Sequence, residues 1–82
     1  MTKKPHNQAF GIVLRKIRTE RRQTQETLAF TSGLDRTYIS LLELGKRSPT
    51  LDTIIVLCSA LDISLASISS RIEDAMRDET TT

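Results

Sequence analysis

The 82-residue chain contains one cysteine, two prolines, three glycines, one tyrosine, two phenylalanines and no tryptophan. A lone cysteine, Cys58, excludes an intramolecular disulfide and leaves no cysteine cluster for a metal; its apolar neighbours suggest a buried thiol. Scarce proline and glycine favour helices. No apolar run approaches the roughly 20 residues that span a bilayer, and Lys3 and Lys4 are not followed by the apolar stretch of a signal peptide. The expectation is a cytoplasmic protein with no membrane partner. Also missing are a glycine-rich phosphate loop and any metal-ligand spacing. His6 and Cys58 are far apart and the carboxylates are scattered, so catalysis and a cofactor are not expected. A domain of this length leaves little volume for a small-molecule pocket.

What is present is charge, unevenly distributed. Residues 1 to 49 hold ten Lys/Arg against four Asp/Glu, a balance of +6, whereas residues 50 to 82 hold two against six, a balance of −4. One end should attract polyanions and the other repel them. With 38% hydrophobic and 27% charged residues the chain is globular, but a single small core gives only a few kcal/mol. Burial in a dimer would therefore matter.

Apolar spacing of three and four residues divides the chain into five short helices. Residues 1 to 6, including His6, read as a flexible, solvated tail. Asn7 is the candidate N-cap of a first helix running to Arg22, with Phe10, Val13, Leu14 and Ile17 inward. Thr24 caps a second helix with Leu28 and Ala29 inward, and Gly33 ends it in left-handed geometry. Asp35 caps a third helix, Arg36 to Leu44, stopped at Gly45. A fourth helix starts at Thr50 or Leu51 and carries Ile54, Leu57, Cys58 and Leu61; "TIIVLC" has strand-like composition, but the spacing is helical. Asp62 ends it. Ser64 caps a fifth helix with Leu65, Ile68, Ile72 and Met76, and residues 78 to 82 read as a disordered tail.

Two short helices joined by a glycine turn, over about residues 25 to 44, have the form of a helix-turn-helix. At about 100° per residue, the third helix has two faces. Ile39 and Leu42 share the inner one, while Arg36, Thr37, Ser40, Leu41 and Leu44 spread over the outer one. The second helix of such a pair presents its N-terminal residues to base edges in the major groove. Arg36 suits guanine O6 and N7, Thr37 and Ser40 bond donors or acceptors, and Thr37 or Leu41 packs on a thymine methyl. Thr24, Gln25, Tyr38, Lys46 and Arg47 are placed to meet phosphates around that helix.

The stretch "TQETLAFTSGLDRTYISLLELGKRSPTLDTI", residues 24 to 54, strongly resembles the Cro/cI-type (XRE) helix-turn-helix family of bacterial and phage regulators. The likeness extends over residues 8 to 70, and "LDRTYIS" is also similar to a segment of restriction-modification controller proteins. The resemblance implies an all-α, five-helix, lambda-repressor-like domain over residues 7 to 77 that binds double-stranded DNA, usually as a homodimer on a two-fold operator. It further implies an ion pair between Arg18 and Glu43 that orients the third helix. Three positions depart from the family pattern. Arg22 and Gln23 replace a glycine and an apolar residue, which puts strain or a different shape in that turn. Asp62 replaces a glycine, and Leu44 replaces a polar or basic residue.

Dimerisation through the fourth and fifth helices would use Leu65, Ile68, Ile72 and Met76; the alternative is that these side chains close the monomer core. The functional rival is a protein-interaction module, an antitoxin or anti-regulator, which outward leucines such as Leu41 and Leu44 would suit.

Overall fold

A computed structural model of the chain describes residues 5–80. It contains α1 (Pro5–Glu20), α2 (Gln25–Ser32), α3 (Arg36–Glu43), α4 (Leu51–Leu61) and α5 (Leu65–Thr80). The described residues form no strand.

Short polar side chains set the helix starts. Thr24, Asp35 and Thr50 accept hydrogen bonds from the backbone N–H of Thr27, Thr37 and Thr53, and Ser64 Oγ accepts from Ser67 N. Each supplies an acceptor for one of the N–H groups that a helix start leaves without a partner. Asn7 does not cap α1, because the helix takes in Pro5 and His6. Proline is tolerated in a first turn, where its missing N–H costs nothing. The expected tail therefore shortens, and residues 1 to 4 lie outside the described part. At the other end α5 runs to Thr80, so residues 78 to 80 are helical; 81 and 82 lie outside the described part.

Left-handed residues end α2 and α4. Gly33, at φ 77°, returns its N–H to Ala29 O, and Asp62, at φ 54°, returns its N–H to Cys58 O and Ser59 O. Arg22 adopts φ 57° in the turn after α1, where the family pattern has glycine. A side chain at positive φ is uncommon, and Arg18 Nη1 braces this turn by donating to Gln23 O at 2.8 Å.

The core joins all five helices. Leu14 and Ile17 of α1, Leu28 of α2, Ile39 and Leu42 of α3, Leu57 and Leu61 of α4 and Ile68 of α5 are fully buried. α1 packs on α5 and α3, while α2 packs on α3 and α4. Gly11 permits the α1–α3 approach: a Cβ there would meet the backbone carbonyls of Leu42 and Glu43, the second at 2.6 Å. No residue larger than glycine fits without moving the third helix.

One expected interface residue is corrected. Ile68 has no exposed surface and belongs to the monomer core, so it cannot contribute to a dimer contact. Ile72 is half-buried against the same core, and Met76 is also half-buried. Leu65 remains exposed, and α4 adds exposed Leu51, Ile55 and Val56.

Candidate nucleic-acid interface

α3 is held by one face and open on the other. Ile39 and Leu42 are buried, whereas Arg36 and Thr37 are exposed and Ser40 is half-exposed. Leu41 is also half-buried, and Leu44, just beyond the helix, is 52% exposed. The expected base-reading residues therefore share the outward side of one eight-residue helix.

An ion pair locks the depth and angle of that helix. Arg18 Nε donates to Glu43 Oε2 at 2.6 Å and Arg18 Nη2 to Glu43 Oε1 at 3.1 Å. The side chains are only 11% and 5% exposed. The hydrogen bond to Glu43 keeps the Arg18 guanidinium above its ordinary pKa, with burial pulling the other way. Such a pair is expensive to break from one side, because the remaining charge stays buried without its partner.

Gln25, expected to meet a phosphate, is engaged within the protein. Its Nε2 donates to Glu43 Oε1 at 2.9 Å, and its Oε1 accepts from Arg36 Nη1 at 3.1 Å. Four side chains from three helices thus form one chain: Arg18, Glu43, Gln25, Arg36. Glu26, assigned no site role from the sequence, adds an ion pair to Arg36 Nε at 3.6 Å. Its position next to Gln25 in the first turn of α2 was visible in the sequence, but its reach to α3 depends on how the two helices cross.

Tyr38 lies at the edge of the outward face, where its hydroxyl shares a hydrogen bond with Thr53 Oγ1 at 3.2 Å. The Arg47 guanidinium sits over its ring, 5.3 Å from the centroid, within range of a cation–π attraction. Lys46 and Arg47 are exposed in the turn after α3. Thr24 uses its hydroxyl on Thr27 at the start of α2. Arg36 and Thr37, with Ser40 beside them, lie on the open face of α3, Lys46 and Arg47 are exposed in the turn that follows, and Gln25 and Glu26 of α2 contact Arg36.

The family model described as "Helix-turn-helix" matches residues 14–68. Over 58 residues the chain is 41% identical to the control protein C.SmaI of Serratia marcescens, covering 71% of this chain and 69% of that one. Among solved structures it is similar to the restriction-modification controller protein C.AhdI from Aeromonas hydrophila, with 45% identity and a TM-score of 0.74 over 76% of this chain and 94% of the other. The controller protein C.Esp1396I, solved as a tetramer in complex with its natural 35 base-pair operator, superposes with a TM-score of 0.81 at 32% identity, over 87% of this chain and 93% of that one. Variants of that protein altered in turn at a consecutive arginine, threonine and tyrosine have also been solved; this chain carries Arg, Thr and Tyr in that order at 36 to 38. The chain belongs to the Cro/cI-type (XRE) helix-turn-helix family, and its relatives there include restriction-modification controller proteins.

Proposed function

We propose that the protein is a sequence-specific regulator of transcription that inserts α3 into the major groove of double-stranded DNA. The observation that carries this reading is the division of α3: a fully buried face of Ile39 and Leu42, and an outward face of Arg36, Thr37 and Ser40 with Lys46 and Arg47 beside it. Arg36 reads guanine, Thr37 and Ser40 read neighbouring base edges, and Leu41 packs on a thymine methyl. Lys46, Arg47, Tyr38 and Thr24 hold phosphates. The similarity to C.Esp1396I, a controller protein solved in complex with its operator, supports double-stranded DNA as the partner of this chain.

In this reading the protein acts as a two-fold dimer. The exposed apolar side chains of α4 and α5, Leu51, Ile55, Val56 and Leu65, supply the contact, and the two copies of α3 lie about 34 Å apart on successive turns of the duplex. The protein works in the cytoplasm, without catalysis and without a cofactor. A role as an antitoxin or anti-regulator is not favoured by the relatives, which are control proteins and transcriptional regulators.

Selection of bound sequences from a random DNA pool tests the reading. A two-fold symmetric motif should be enriched, and binding to it should weaken steeply with salt. Absence of any enriched motif overturns it.

A further inference from the structure

Resting on that DNA-binding reading, the surroundings of Arg36 carry one step more. A guanidinium has five N–H donors. Gln25 Oε1 takes one from Nη1, and Glu26 lies on the Nε side at 3.6 Å. Among the described residues Nη2 makes no hydrogen bond, and one N–H from each terminal nitrogen is left to form an end-on fork matching guanine O6 and N7. The orientation of the Gln25 amide is not arbitrary. Glu43 is ion-paired and acceptor-only, so Gln25 must turn Nε2 toward it, which leaves Oε1 facing Arg36.

We propose that Glu26 and Gln25 are specificity-determining residues, bracing Arg36 so that only its end-on edge enters the groove. On an operator Arg36 meets guanine while keeping both supports. On unrelated DNA the nearest attraction for an arginine is a phosphate, and turning toward it breaks the contact with Glu26, whose own carboxylate repels the backbone. Glu26 thus weakens non-specific binding more than specific binding. The pair is open to solvent, with 53% of the Arg36 and 71% of the Glu26 side chain exposed, so the effect is modest, about twofold to fivefold.

The test measures dissociation constants for three duplexes: the selected operator, the same operator with the guanine pair read by Arg36 replaced, and an unrelated sequence. Proteins are the wild type, Glu26→Gln, Gln25→Ala, Arg36→Ala and the two double variants containing Arg36→Ala. Glu26→Gln should lower the operator-to-unrelated affinity ratio by about twofold to fivefold, mainly by tightening unrelated DNA. It should steepen the salt slope there by about one, as a freed arginine neutralises one more phosphate. Discrimination at the Arg36 base pair should fall while other positions keep theirs, and neither change should alter that discrimination once Arg36 is alanine. An equal gain on all three duplexes would make Glu26 a plain repulsive charge and overturn the proposal. A uniform loss for Gln25→Ala that persists without Arg36 would make Gln25 a phosphate ligand and overturn its part. Glu26→Gln changes an exposed residue, so it reports even if Gln25→Ala melts early. A wild type that enriches no operator defeats the DNA-binding reading itself, a result separate from any of these.

Discussion

Arg18 grips Glu43 with two nitrogens at once, and this bidentate contact ties the last turn of α1 to the last turn of α3. Arg18→Ala would leave the Glu43 carboxylate buried with only Gln25 as partner, at a cost of about 3 kcal/mol in unfolding free energy. Replacing both, as Arg18→Met with Glu43→Leu, should recover most of that loss in chemical denaturation. It should not recover operator discrimination, because Gln25 then has nothing to orient it. Equal instability of the double and single variants would mean the ion pair contributes beyond its mutual compensation.

Arg36 and the basic turn should separate in a binding assay. Arg36→Ala is expected to cost about 1 to 3 kcal/mol on the operator and to relax preference at one base pair. Lys46→Ala should weaken all sequences alike and reduce the salt slope by about one. Identical profiles for the two variants across a mutated operator set would contradict the division of roles.

Gly11→Ala should act on α3 from α1. The new Cβ meets backbone rather than a flexible side chain, so α1 and α3 must move apart, and overpacking of this kind costs about 1 to 3 kcal/mol. The variant should melt earlier and also bind operator more weakly per folded molecule. A melting temperature equal to the wild type would refute the close approach.

Ile55→Glu tests the dimer. Ile55 is 46% exposed in the isolated chain, so the substitution should leave secondary structure intact while shifting the sedimenting mass at micromolar concentration from dimer to monomer. An unchanged dimer would locate the contact elsewhere.

Burial raises the Cys58 thiol pKa, which predicts slow alkylation at neutral pH compared with the unfolded chain. The sign for stability follows from the same shift. The folded state holds the proton more tightly than the unfolded one, so the contribution is present below the unfolded thiol pKa and disappears as pH rises through the folded value. Relative to Cys58→Ala, the wild type should lose stability in alkaline solution. Parallel stability curves for the two would exclude the linkage.

The helix-turn-helix was legible because its markers are local. Thr24, Asp35, Thr50 and Ser64 cap helices by bonds to residues two or three places on, and Gly33 and Asp62 stop helices by their own backbone geometry. Spacing alone also separated the buried Ile39 and Leu42 from the outward Arg36 and Thr37. What it could not supply was the identity of the surface each stripe meets. Ile68 belongs to the same apolar row as Leu65, yet one is enclosed by the monomer and the other is open. Gly11 passed as an unremarked residue inside a helix, since only the crossing of α1 and α3 reveals why a side chain is excluded there. The contacts of Gln25 and Glu26 with Arg36 likewise depend on how α2 crosses α3, across ten or more residues of chain.

The division of labour on α3 has a consequence for how such a protein changes its address. Its hold on the fold resides in Ile39, Leu42 and Glu43, while Arg36, Thr37 and Ser40 contribute nothing to the core. In the proposed reading, exchanging the outward trio alters which sequence is sought without asking the scaffold to refold. A duplicated copy of the gene could drift to a new operator in a few single steps, each leaving a folded protein behind.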